Sequence, residues 1–288
     1  MAYNVAVVLW GAYVRATGSG AGCGNHWPLC NGAALPVSPT LATIVEFTHR
    51  ATSGIDLALV ALLVVWAFRA FVRGHPVRLG ATLSAIFLMS EALLGASLVL
   101  LEHVAKNAST SRAYSLTAHL LNTLTLLACL TLTAWWGMGK PGVRPRGRPG
   151  WMAGVSLASL MVLGVSGAIA ALGDTLFPAR SLAAGLAQDL DPAANIFLRL
   201  RLLHPVIAAG AAAWLLYYAG SCAARRRDLR VRAWLLTGFL GAQIVAGVAN
   251  LLLLAPVWMQ IVHLLLADLV WISLVLLCAG MLEDRIKP

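Results

Sequence analysis

Residues 258–280 read WMQIVHLLLADLVWISLVLLCAG, an apolar run with a histidine, His263, near its start. As one helix it crosses the ~30 Å of bilayer hydrocarbon. Seven further apolar runs lie at 2–14, 43–72, 79–101, 114–136, 151–172, 197–222 and 233–254. Every second run carries a histidine at about the same depth: His49, His119, His204 and His263. Each sits roughly 10 Å inside the end of its segment at ~1.5 Å per residue. The expected fold is an all-α membrane protein, with eight transmembrane helices as two similar four-helix bundles.

Composition supports that class. Hydrophobic residues make up 60% of the chain and charged residues 11%, against about 25% charged in soluble domains, and the mean hydropathy is +0.81. The first run is short: residues 2–14 give ~20 Å of helix, less than a crossing. It lacks a charged leader and a small-residue cleavage site, so it reads as a truncated helix rather than a signal peptide.

The net charge of +10 is sorted by side and does not indicate a nucleic-acid partner. Two thirds of the 21 basic residues fall in the loops after spans two, four and six and at the C-terminus: Arg69, Arg73 and Arg78; Lys140, Arg144, Arg146 and Arg148; Arg225, Arg226, Arg227, Arg230 and Arg232; and Arg285 with Lys287. The positive-inside rule places these loops and both termini in the cytoplasm, and the four histidines near the outer face.

The halves echo one another. His119 begins HLLNTL and His263 begins HLLLADL, while His49 and His204 fall early in spans two and six. The offsets, 144 and 155 residues, suit a duplicated four-helix unit with drifted loops. The stretch KPGVRPRGRPG at 140–150 is the natural cytoplasmic seam, dividing an N-terminal half, 1–139, from a C-terminal half, 151–288. A single imidazole in a membrane helix usually packs through a hydrogen bond. Four at one depth, on helices of one orientation, instead point to iron, two facing histidines holding one haem in each half. His26, His75 and His103 lie in loops and are expected to be solvated.

Two segments narrow this further. One is Val14-Arg15-Ala16-Thr17-Gly18-Ser19-Gly20, followed by Cys23-Gly24-Asn25-His26-Trp27-Pro28-Leu29-Cys30-Asn31-Gly32. The other is Glu46-Phe47-Thr48-His49-Arg50 at the mouth of span two. Together with the eight spans, the two halves and the histidine in each even helix, they resemble the haem A synthase family, integral membrane enzymes that oxidise haem O to haem A. The resemblance implies that His49 and His119 hold the substrate porphyrin and that His204 and His263 hold a resident haem b. It also implies that Glu46 serves acid–base or electrostatic catalysis, in a bacterial inner membrane during cytochrome oxidase biogenesis. A haem O synthase and a thiol or electron-transfer partner are the neighbours it suggests, besides membrane lipid. A second cysteine pair, present in some relatives, is absent. The alternative is a bis-haem electron-transfer cytochrome, which needs the four histidines but neither Glu46 nor the loop cysteines.

The residues themselves leave several choices open. Cys23 and Cys30 share a loop on the oxidising side, where a disulfide is either a staple or a redox group. Cys129, Cys222 and Cys278 fall in spans and read as packing residues. Glu46 shares a helical face with His49, and its plainer role is pairing with Arg50 or orienting the ring. Only the N-terminal half has this acid, because the matching position before His204 is Arg201. Asp56 lies on the same stripe about 10 Å deeper, as a path residue or a partnered carboxylate. Glu91 and Asp268 are further intramembrane acids with no partner evident from sequence. Arg15, Arg50, Lys106, Arg112, Arg199 and Arg201 cluster toward the outer side, as propionate partners or as snorkelling side chains. Leu182, Leu186 and Leu190 predict a short amphipathic helix on the membrane surface. Gly164, Gly167, Gly238, Gly241 and Gly247 predict close packing of the odd helices.

Overall fold

The computed structural model describes residues 1–284, so Arg285 and Lys287, read above as cytoplasmic charges, lie outside the described residues. Ten α-helices follow one another: α1 Ala2–Ala16, α2 Leu41–Ala70, α3 Pro76–Leu100, α4 Thr110–Gly137, α5 Gly147–Leu176, α6 Leu182–Leu190, α7 Ile196–Arg201, α8 Leu203–Arg225, α9 Arg230–Leu252 and α10 Val257–Met281. The described residues contain no strand, only isolated bridges at Cys30–Ala33 and Val143–Glu283. Seven segments are long and apolar enough to cross a membrane, one of them formed by α7 and α8 together.

Three expectations need correction. The first run forms a helix of 15 residues, ~22 Å at the α-helical rise, so seven segments rather than eight qualify as spans. The sixth run is not one continuous helix, because it breaks at Leu202 between α7 and α8. Pro205 causes the break: it lacks the N–H that would reach Arg201 four residues back, and its ring crowds that carbonyl. The fifth span begins at Gly147, four residues earlier than expected, since Pro149 falls in the first turn, where no N–H is required.

Local chemistry sets the helix starts. Thr40, Ser109, Ser181 and Asn195 accept hydrogen bonds from the backbone N–H groups of Thr43, Arg112, Ala184 and Phe197, capping α2, α4, α6 and α7. α3 opens with Pro76, and His75 accepts from Val77 N. The predicted amphipathic helix exists as α6. Leu182, Leu186 and Leu190 face outward while Asp189 turns inward.

Neighbouring helices pack in sequence from α1 to α4, and α5, α8, α9 and α10 close a ring. α10 also packs on α1 and α4, and Trp271 Nε1 donates to Leu124 O at 2.7 Å. The main core gathers residues of α4, α5, α8, α9 and α10 around Trp271, Leu215 and Leu236. Large apolar side chains such as Leu62, Trp66, Trp234 and Val245 face outward, as helices bordered by lipid tails allow. The two ends differ. At the arginine-rich end, the segment after α4 is fastened to the chain's last described residues by Arg144–Asp284, 2.9 Å, and by Asp284 N to Gly142 O. The opposite end carries the loop between α1 and α2.

Candidate functional site

All four histidines lie at that loop-bearing end, between the seventh and tenth residues of their spans. They fall into two pairs. His49 of α2 neighbours His119 of α4, and His204 of α8 neighbours His263 of α10.

Each ring lies against a glycine of a neighbouring odd-numbered helix. A Cβ built on Gly11 of α1 would stand 2.9 Å from His49 Cε1. One on Gly167 of α5 would stand 3.0 Å from His204 Cε1, and one on Gly247 of α9 would stand 3.0 Å from His263 Cε1. Gly95 of α3 faces His119 Cε1 more loosely, at 3.9 Å. Ordinary carbon–carbon contact is about 3.5–4.0 Å, so three of these notches admit an imidazole only because they hold glycine. The close packing expected of the span glycines therefore holds for Gly167 and Gly247, and Gly164 meets Leu120 and Leu124. Gly238 and Gly241 have nothing within 4 Å and are corrected to open positions.

The ring nitrogens meet different partners. Ser166 Oγ lies 2.9 Å from His204 Nδ1, and Gln243 Nε2 lies 3.3 Å from His263 Nε2. Glu91 Oε1 lies 3.3 Å from His119 Nδ1, short of a hydrogen bond's alignment. His49 Nδ1 is buried without a partner. Every ring keeps one nitrogen outside any hydrogen bond, which is what a metal ligand requires. Two such imidazoles from two helices could hold a haem iron. The chain's donors thus fit the group that the sequence implied.

Glu46 is 3% exposed, and both its oxygens are engaged. Oε2 accepts from Cys23 N at 2.8 Å, and Oε1 accepts from Arg50 Nη2 at 2.5 Å. Arg50 Nη1 then reaches the carbonyls of His26 and Leu29, at 2.7 and 2.8 Å. Cys23 and Cys30 are disulfide-bonded and buried. The Glu46–Arg50 pair therefore ties the disulfide loop to the helix that carries His49.

The remaining arginines are placed as follows. Arg15 donates to Ala171 O, Thr175 Oγ1 and Gln260 Oε1 at 2.9–3.0 Å, joining α1 to α5 and α10. Arg112 is buried and caps the carbonyls of Ala105 and Asn107, both at 2.8 Å. Arg201 pairs with Asp174 at 2.6 Å and Asp189 at 2.5 Å. Arg199 and Lys106 are exposed. Asp56 accepts from Asn4 Nδ2 at 2.6 Å, so it is a partnered carboxylate, whereas Asp268 is buried with Oδ2 unpaired. Cys222 and Cys278 are buried thiols, and Cys129 is half-buried. Two loop histidines are not simply solvated: His103 Nδ1 meets Ser115 Oγ at 2.8 Å, and His75 caps α3.

Sequence reasoning missed the partners on the odd helices. Glu91 precedes Gly95 by four residues, and Gln243 precedes Gly247 by four, the two pairs being 152 residues apart. Neither even-helix offset, 144 or 155 residues, maps one pair onto the other, so aligning the halves by the histidines does not reveal them.

The family described as cytochrome oxidase assembly protein matches residues 1–275. The chain belongs to this family. A Thermus thermophilus protein named protoheme IX farnesyltransferase is 48% identical over 290 residues, which is 99% of this chain and 48% of that protein. A heme A synthase of Halalkalibacterium halodurans is 36% identical over 137 residues, 48% of this chain and 44% of the relative. One from Bacillus mycoides is 44% identical over 93 residues, 32% of this chain and 30% of the relative. The chain thus spans about half, or less, of the length of these curated relatives. Within the cytochrome oxidase assembly family, the likeness to haem A synthases read from the sequence is upheld.

Proposed function

We propose that this protein is a haem A synthase, oxidising the ring methyl of haem O to the formyl group of haem A for cytochrome oxidase biogenesis. The observation that carries the reading is the recurrence, in both halves, of two neighbouring imidazoles on even helices, each seated against a glycine of an odd one. The family match supports it.

In this reading the chain forms two four-helix bundles, 1–139 and 151–288, joined by a cytoplasmic linker at 140–150, with α1 as the short eighth span. It sits in a bacterial inner membrane with both termini cytoplasmic and the histidines near the outer face. His49 and His119 orient the substrate porphyrin, and His204 and His263 hold haem b. When bound, haem b supplies a one-electron carrier beside the substrate. Glu46, near His49 and held by Cys23 N–H and Arg50, takes or returns a proton at its free lone pairs as the methyl carbon is oxidised. The exposed Arg199 is the most available propionate partner. Arg15, Arg50, Arg112 and Arg201 already hold protein acceptors and offer only their remaining N–H groups.

The Thermus relative carries a different name, that of a farnesyltransferase, and this chain aligns with 48% of it. Half of that protein lies beyond the aligned region, and we assign the farnesyl transfer in its name to that remainder. A haem O synthase, whose product is this enzyme's substrate, is then the expected partner.

The test is an absorption spectrum and acid-solvent haem extraction of the purified protein. Haem b together with haem O or haem A supports the synthase. Haem b alone would indicate an electron-transfer cytochrome, and a colourless preparation would refute haem binding altogether. His204→Ala should lose the b-type spectrum and keep the substrate porphyrin.

A further inference from the structure

The two halves place different chemistry at one equivalent position. On α3, Glu91 lies one helical turn before Gly95, and both face His119. On α9, Gln243 lies one turn before Gly247, and both face His263. The first half thus offers the imidazole a carboxylate where the second offers a neutral amide.

Glu91 is built into its place. Its Oε2 accepts from Asn122 Nδ2 at 2.5 Å, and its Oε1 accepts from the hydroxyl of Thr123. Both donors sit on α4, three and four residues after His119, on the face the ring shares. Asn122 is itself fixed: its Oδ1 accepts from Ser90 Oγ at 2.6 Å, and its Nδ2 also donates to Phe87 O at 2.8 Å. The carboxylate cannot swing away without breaking this network, and its side chain is only 17% exposed. A carboxylate 3.3 Å from Nδ1 electrostatically favours the proton on that nitrogen, leaves Nε2 free, and makes Nε2 the stronger electron donor. Gln243 instead meets His263 at Nε2 and leaves its Nδ1 without a partner, and a neutral amide gives neither nitrogen a comparable gain in donor strength.

We infer that Glu91 is a positioning residue for His119, and that the Glu91/Gln243 difference sets an iron held by His119 at a lower reduction potential than one held by His263. The inference rests on the two-haem reading above. Lower potential in the first half favours loss of electrons from that site toward the second, which suits a half whose porphyrin is to be oxidised.

The test is a spectroelectrochemical titration of the haem-loaded protein, with the two haems assigned by which is lost in His119→Ala and in His263→Ala. Glu91→Gln should raise the potential of the His119 haem by about tenfold in its redox equilibrium, ~59 mV for one electron, and leave the other unmoved. Gln243→Glu should lower the potential of the His263 haem, an independent result if Glu91→Gln fails to fold. Glu91→Asp should restore part of the Glu91→Gln shift, which a purely structural role would not do. Unchanged potentials in both variants, or movement of the wrong haem, overturn the inference and leave the two-haem reading intact. A preparation without haem, or one losing no haem in either histidine variant, overturns both.

Discussion

Gly247→Ala is the sharpest test of the histidine seating. The added Cβ would stand 3.0 Å from His263 Cε1 and 3.8 Å from both ring nitrogens. Ordinary contact is about 3.5–4.0 Å, so the ring must retreat by roughly 0.5–1 Å or tilt. Overpacking of this kind costs about 1–3 kcal/mol, which is roughly five- to 150-fold in any equilibrium that needs the ring in place. Gly241 provides the control on the same helix. Nothing lies within 4 Å of its Cβ position, and alanine is favoured over glycine in a helix by about 0.8–1.0 kcal/mol. The assay is haem b retained per protein after detergent extraction and dilution, with the thermal midpoint recorded in parallel. Gly247→Ala should lose haem and melt earlier, while Gly241→Ala should match or slightly exceed the unmodified protein. Equal haem retention in the two variants would refute the notch as the device that seats His263.

Glu46→Ala should abolish haem A formation while haem b stays bound, checked by extraction of total haem from cells expressing the variant. Normal haem A yield would remove the catalytic assignment. Arg201→Ala leaves Asp174 and Asp189 without their shared cation, and should destabilise the protein by about 3 kcal/mol, read as a lowered thermal midpoint. Arg201→Lys should recover little of that, because an ammonium cannot reproduce the forked contacts.

What the sequence disclosed and what it hid follow different physics. Apolar run lengths and the recurring histidines depend on local composition, so the helical class and all seven qualifying spans could be placed to within a few residues. The break before His204 was readable in principle from Pro205, but a hydropathy pattern averages over a single missing N–H. Partners on other helices were harder. Glu91 and His119 are 28 residues apart, and only the register of α3 on α4 makes them neighbours. Arg50 was legible as a partner for Glu46 because the two stand one turn apart on α2. The other donor to Glu46, Cys23 N–H, and the carbonyls of His26 and Leu29 that accept from Arg50 belong to a loop whose path no periodicity encodes. The arginines show the same limit. Depth alone groups Arg201 with propionate ligands, whereas its forked contacts go to Asp174 on α5 and Asp189 on α6.

Arg15 sharpens the question of what an arginine at this end does. Its guanidinium has five N–H groups, and three bonds go to Ala171 O, Thr175 Oγ1 and Gln260 Oε1. All three acceptors lie on α5 and α10, so Arg15 fastens the short α1, and with it the wall behind His49, to the histidine-bearing second half. A tether acts with or without porphyrin, whereas a propionate ligand acts only when porphyrin is present. Arg15→Ala should therefore lower the unfolding free energy of haem-free protein, made in haem-deficient cells, by about 2 kcal/mol, the scale of hydrogen bonds to a charged group. The loss should be the same in the loaded protein. A loss confined to the loaded protein would show that the guanidinium's principal partner is the haem, and the tether argument would fail.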